Sequence, residues 1–155
     1  MAMEPVDVST VIKEAVASAR AAGPDHPISM NLPSEDFFVL GDSLRVHQVI
    51  ANLLANARIH TPAGTAISVE ARQDDSGTYI SVKDNGPGLS KEAQEKIFER
   101  FYRADPSRVR DGVEGTGLGL SIVDAVMSAH GGKVAVESEL GKGATFTLFF
   151  PMSEI

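Results

Sequence analysis

Read for apolar positions alone, residues 42–61 are the most informative stretch of the chain. At about 100° per residue, Val46, Val49, Ile50, Leu53 and Ala57 gather into one sector that should face a core. Arg45, Asn52, Asn56 and His60 fall on a line along one edge of that sector. Two asparagines at i and i+4, half turned inward, are costly unless something pairs with them. Thr61-Pro62-Ala63-Gly64 stops this helix.

The same reading orders the rest of the chain. Asp7 caps a helix over residues 8–22, with Val8, Val11, Ile12, Ala15, Val16 and Ala19 on its apolar face, and Gly23-Pro24 ends it. Residues 28–32 and 37–40 are short apolar runs split by Pro33 and acidic residues, which predicts two strands. Residues 66–72 and 78–83 alternate apolar and polar positions around Asp74-Asp75-Ser76-Gly77, the pattern of a hairpin. A glycine-rich turn, Asp84-Asn85-Gly86-Pro87-Gly88-Leu89, leads to a short helix capped by Ser90, with Glu92 in its first turn. Residues 103–114 are polar and short of apolar anchors, so a mobile loop is expected there. Gly115-Thr116-Gly117-Leu118-Gly119-Leu120 opens a further helix whose inner side is expected to carry Leu118, Ile122, Ala125, Val126 and Ala129. A closing hairpin, residues 133–137 and 144–150, turns at Gly141-Lys142-Gly143. With no repeat and no internal boundary, the expectation is one α+β domain, helices on one face of a largely antiparallel sheet. Residues 1–5 are expected to be an appended or linker segment.

Composition narrows the class. A chain of 155 residues with 43% hydrophobic and 23% charged residues suits a soluble globular domain. No apolar run reaches the roughly 20 residues needed to span a bilayer, and no signal-peptide pattern opens the chain. The net charge of -7 argues against a nucleic-acid partner. There is no cysteine, which removes disulfides and thiolate metal sites and fits a reducing compartment.

Candidate chemistry gathers at the glycines and the asparagines. The turn Asp84-x-Gly86-x-Gly88 by itself serves equally as a plain tight turn. Gly115-x-Gly117-x-Gly119 entering a helix is more telling, because N–H groups unshielded by side chains suit a phosphate chain, although a flexible helix entry uses the same residues. It is neither a dinucleotide fingerprint nor a G-x-x-x-x-G-K-[ST] loop. Four scattered histidines and no cysteine disfavour zinc, whereas an Asn56 amide oxygen suits magnesium already held by phosphates. Asparagines of this kind also bond only to neighbouring backbone. Arg100, Arg103, Arg108 and Arg110 thicken the positive charge beside the polar loop, either reaching for phosphates or lying solvated.

These boxes together resemble the catalytic ATP-binding domain of two-component sensor histidine kinases, over nearly the whole chain. NLLANARIHT (residues 52–61) is similar to the N box and DNGPG (84–88) to the G1 box. FERFYR (98–103) is similar to the F box, GTGLGL (115–120) to the G2 box, and GKGATF (141–146) to the last glycine box. The resemblance implies a Bergerat-type two-layer α/β sandwich, shared with type II topoisomerases, a heat-shock chaperone and mismatch-repair ATPases, with a mixed, mostly antiparallel sheet under about three helices. It implies ATP and Mg²⁺ as ligands. The implied nucleotide-binding set is Asn52, Asn56, His60, Asp84, Gly86, Gly88, Arg100, Arg103, Gly115, Thr116, Gly117, Leu118, Gly119, Leu120 and Thr145. Asn52 and Asn56 would be catalytic and Asn56 the metal ligand. Asp84 would accept from the adenine amine, residues 103–114 would be the ATP lid, Phe98 and Phe101 would anchor it, and Thr145 would support the adenine end.

The resemblance also bears on reaction type. Where related ATPases carry a water-activating glutamate, this chain has Asn52, and an amide takes no proton at neutral pH. Transfer to a histidine on a separate dimerisation and phosphotransfer domain is therefore expected over hydrolysis; the alternatives are a related ATPase, a nucleotide-sensing module or a serine-directed anti-sigma kinase. His26, His47, His60 and His130 do not lie in the family's phosphoacceptor context. The implied setting is the cytoplasmic part of a membrane-bound sensor with a response regulator downstream, the chain itself being soluble and monomeric. One departure stands out: the family usually has Lys or Arg where this chain has Ile59, and Arg58 is about 200° around the helix from Asn56. Arg58 is therefore expected to point away from the phosphates.

Overall fold

A computed structural model describes residues 3–99 and 118–152. The elements run β1 (Glu4–Asp7), α1 (Val8–Ala22), β2 (Ile28–Asn31), β3 (Phe38–Gly41), α2 (Ser43–Ile59), β4 (Ile67–Gln73) and β5 (Gly77–Asp84). They continue through α3 (Lys91–Lys96), α4 (Leu118–Ala129), β6 (Lys133–Ser138) and β7 (Ala144–Pro151). Five strands form one sheet in the order β2-β4-β5-β7-β6, antiparallel except for the parallel pair β2 and β4. The α+β sandwich expected from the sequence is the observed fold.

Capping sets where the helices begin. The Asp7 carboxylate accepts from Thr10 N at 3.2 Å, Asp42 from Leu44 N and Arg45 N at 3.1 and 3.2 Å, and Ser90 Oγ from Ala93 N at 3.1 Å. Each satisfies N–H groups that a helix start leaves without an internal partner. The apolar stripe of α2 is buried as expected, and Leu54 joins it. Val8, Ile12 and Val16 of α1 meet Val49, Ile50 and Leu53 of α2 over the inward positions of the sheet, Val69, Ile80, Val82, Phe146 and Leu148, in one continuous core.

Three features differ from the expectation. A strand that the pattern did not predict opens the chain: β1 pairs antiparallel with β3, Glu4 opposite Gly41 and Asp7 opposite Phe38. The pairing makes β3 part of a separate two-stranded ribbon, while β2 joins the main sheet. The third difference is the rotation of α4. Its buried residues are Leu120, Val123 and Met127, with Ile122 and Val126 half-buried and Ala125 and Ala129 exposed. Ser121, Asp124 and Ser128 mark a polar side, but the apolar arc opposite them is broad, so periodicity leaves the rotation within that arc open. Packing of Leu120, Val123 and Met127 in the core settles it, and at the helix end buried His130 donates Nδ1–H to Val126 O at 2.8 Å and accepts Asp42 N–H on Nε2 at 3.1 Å. That bond docks the end of α4 on the cap of α2.

Candidate functional site

The C-terminal turn of α2, the end of β5 and the start of β7 meet around a pocket lined by Asn56, His60, Thr61, Asp84, Pro87, Gly88, Leu89, Ile97, Ala144 and Phe146. Asp84 is its one buried acid, only 6% exposed. Oδ1 accepts the Gly86 N–H at 2.8 Å, so the carboxylate is held within its own turn. Burial pushes the Asp84 carboxyl above its ordinary value, opposed by N–H groups of Gly86 and Ala144 and by the nearby His60 ring. A desolvated carboxylate facing an apolar pocket discriminates strongly between a donor and an acceptor brought against it.

The wall on the α2 side is also fixed. Thr61 Oγ1 donates to Ala57 O at 2.7 Å, so the buried His26 must donate its Nε2–H to the Thr61 oxygens, at 3.0 Å from Oγ1 and 3.2 Å from O. Gly86 passes so close to this wall that a Cβ on it would stand 2.5 Å from Thr61 Cγ2. On the opposite side Gly143, at φ +85°, lies against the Asp84 carbonyl, and any side chain there would overlap it. The glycines of two boxes far apart in sequence thus serve one close packing.

Of the asparagines, Asn56 lines the pocket and is half-buried, and among the described residues its side chain makes no hydrogen bond. Asn52, one turn earlier, donates Nδ2–H to Gly119 O at 3.2 Å, tying the first turn of α4 to α2. Arg58 lies elsewhere, its aliphatic stem packed against Gly23 at the end of α1, and neither it nor Ile59 lines the pocket.

The family model for histidine kinase-, DNA gyrase B-, and HSP90-like ATPases matches residues 41–154. The chain belongs to this family. It is 46% identical over 137 residues to the probable sensor histidine kinase TcrY of Mycobacterium tuberculosis, spanning 88% of this chain and 29% of that protein. It is 41% identical over 126 residues to the sensor histidine kinase WalK of Bacillus subtilis, 80% of this chain and 20% of that one. Among solved structures, a mycobacterial sensor histidine kinase, MprB, superposes with a TM-score of 0.81 at 30% identity, covering 97% of this chain and 100% of that one. The ATP binding domain of PrrB from Mycobacterium tuberculosis gives 0.79 at 26% identity, covering 99% and 100%. The chain therefore corresponds to the ATP-binding catalytic region of sensor histidine kinases, under a third of the length of TcrY.

Within the family frame, the structure brings Asn56, His60, Asp84 and Gly88 into one pocket, with Gly86 behind Asp84. Three expected members lie differently. Thr145 is next to the pocket in sequence but, by the alternation of β7, on the other side of the sheet; Ala144 and Phe146 are its inward neighbours. Leu120 is buried in the core, and Gly119 meets the site through its carbonyl, bonded to Asn52. Arg100, Arg103, Gly115, Thr116 and Gly117, with Phe101 and the expected lid at 103–114, lie outside the described residues, as does the Leu118 side chain. Phe98 is half-buried, edge-on to Phe146 with ring centroids 6.2 Å apart. Sequence reasoning missed Thr61, Pro87, Leu89, Ile97, Ala144 and Phe146 as pocket walls. Thr61, Pro87, Ala144 and Phe146 stood inside the quoted boxes, but nothing in the pattern marked them as lining residues.

Among the described residues there is no cluster of three or more His, Cys, Asp or Glu side chains that could hold a metal. Nor is any described helix long and apolar enough to cross a membrane.

Proposed function

We propose that this chain is a single ATP-binding catalytic domain that passes the γ-phosphoryl group of ATP to a histidine on a separate helical-hairpin domain of its parent protein. The observation that carries the reading is the buried Asp84 carboxylate opening on a pocket beside Asn56 and His60. Adenine presents an exocyclic amine to such a carboxylate, which favours its ionised form; guanine presents a carbonyl oxygen, which the same group repels.

Mg²⁺ fits the donor set as a guest carried by the nucleotide. Asn56 offers a hard amide oxygen with no described side-chain partner, and the phosphates would supply most of the remaining oxygens. When bound there, the ion would neutralise phosphate charge. The chain's own part is positioning: Asp84 and the walls around it hold the base, and α2 presents Asn56 toward the phosphate end. Asn52 donates its amide N–H to Gly119 O and takes no proton from water, which favours transfer over hydrolysis. The extension of the reading to the expected lid, Arg100, Arg103 and the glycines at 115–117 rests on the boxes in the sequence. So do a response regulator as the next acceptor and a cytoplasmic setting beneath a membrane-bound sensor.

Mixing the chain with the hairpin domain of its parent, γ-labelled ATP and Mg²⁺ should place label on the hairpin in acid-labile form. Rapid release of free phosphate, with the hairpin unlabelled, would mark an ATPase instead. Asn56→Ala should keep a folded domain but abolish the gain in ATP affinity that Mg²⁺ gives the unmodified chain. An undiminished gain, read by calorimetry, would remove Asn56 as the ligand.

A further inference from the structure

The two walls of the base pocket are far apart in sequence, and one hydroxyl joins them. Ser138, the last residue of β6, accepts the Leu89 N–H on Oγ at 2.8 Å and donates its own proton to Gly143 O at 2.6 Å. Leu89 closes the loop that carries Asp84, Pro87 and Gly88 past the pocket; Gly143 immediately precedes Ala144 on the facing wall. Behind this hydroxyl, the Gln94 side-chain amide donates to Leu89 O and to Ser138 O, both at 3.0 Å. A fifth bond, Gly141 N–H to Pro87 O at 2.8 Å, closes the same seam. Ser138, Gln94 and Gly141 stand outside the pocket lining and act on it only through these bonds.

We propose that Ser138, backed by Gln94, is a positioning residue that sets the separation of the two pocket walls and thereby the selection of the base. The inference rests on the adenine reading of the pocket and deepens it. Asp84 recognises a donor only if the base is held flat and at one depth, and that depth is set by Leu89 and Gly88 on one side and Ala144 on the other. Ser138 is suited to the task because a hydroxyl both accepts and donates, so it satisfies a backbone N–H and a backbone carbonyl at once. Alanine would leave both groups without a protein partner and let the walls part. Threonine keeps the hydroxyl. Gln94 needs both its amide hydrogens, so glutamate, which has none when ionised, is the diagnostic substitution there.

The test is binding of ADP and GDP to the full chain by calorimetry, with melting temperature recorded for each variant. The unmodified chain should prefer ADP. Ser138→Ala and Gln94→Glu should each weaken ADP binding about five- to tenfold and narrow the ADP-over-GDP ratio, as expected when a polar recognition group loses its alignment. Ser138→Thr should recover most of both. If Ser138→Ala lowers the melting temperature but leaves ADP affinity and the ratio unchanged, the seam is only structural and the proposal is overturned. If Ser138→Thr behaves like Ser138→Ala, the hydroxyl is not the agent, and the proposal again falls. If the unmodified chain shows no preference for ADP, the adenine reading itself fails and takes the proposal with it.

Discussion

Adjacent residues of β7 serve opposite sides of the sheet. Ala144 and Phe146 point under the helices and line the pocket beside Asp84, whereas Thr145, Thr147 and Phe149 belong to the open side. On that side a row runs straight across four strands, because Arg72, Tyr79, Phe149 and Lys133 are successive register partners. The Arg72 guanidinium sits 3.9 Å from the centre of the Tyr79 ring, Tyr79 and Phe149 are 4.9 Å apart, and Lys133 Nζ is 5.9 Å from the Phe149 ring. The open face keeps its cations in water and leans them on aromatic rings, which adds stability of about 0.5–1 kcal/mol per contact. The covered face has one buried carboxylate and little else that is charged. Removal from water is what turns a carboxylate into a discriminating group, so recognition belongs to the covered face and reinforcement to the open one.

The strongest test of that contrast is Asp84→Asn. Loss of a charged hydrogen-bond acceptor should weaken ADP binding at pH 7 by about 1.5–3 kcal/mol, roughly ten- to a hundredfold. The ligand-free protein should melt no lower than the unmodified chain. Because burial raises the Asp84 carboxyl above 3.8, the folded state binds that proton more readily than the unfolded one. Its contribution to stability is therefore most favourable below 3.8, falls as pH rises through the window up to the raised value, and stays at a constant deficit above it. The melting advantage of Asp84→Asn should accordingly widen as pH rises above 3.8 and then level off once the folded-state carboxyl has ionised. A variant that binds ADP as well as the original would place base recognition elsewhere.

Next in size is a pair of neighbours. Ala144→Leu should fill the pocket and weaken ADP binding about tenfold, while Thr145→Val should change it by less than about twofold, a difference set by strand alternation. The opposite ranking would restore Thr145 to the site. The smallest effect on binding belongs to the open face. Tyr79→Ala should cost about 1–2 kcal/mol in chemical denaturation through its lost ring contacts and leave ADP affinity unchanged. A loss of affinity there would mean that the two faces are coupled.

Much of this was legible in the chain. The caps Asp7 and Ser90 were readable because capping is local chemistry between residues three apart. The stripe of α2 and the strand pairs β4–β5 and β6–β7 followed from periodicity and turn residues. Arg58 was expected to turn away from the asparagine edge, and its packing on Gly23 agrees. The boxes made Asp84 and Asn56 stand out together. What escaped were relations without a local cause: β1 finding β3 across the whole of α1, the rotation of α4 within its broad apolar arc, and Thr145 standing for its inward neighbour.

By itself, then, the sequence determined the elements other than β1, their order, the family and the chemical kinds present: a carboxylate after a strand, asparagines spaced by one helical turn, glycines at the turns. The tertiary structure decided which side of each element is covered. Alternation along β7 marks its more apolar face, and Ser121, Asp124 and Ser128 mark the polar side of α4, but which neighbours cover those faces, and the final rotation of α4 where His130 meets Asp42, came only with packing. It also brought Ser138 and Gln94 to the seam between Leu89 and Gly143. A serine at the end of a strand and a glutamine on a short helix carry no signal of their own; their role exists only once the folded chain has set two distant backbones within reach of one hydroxyl.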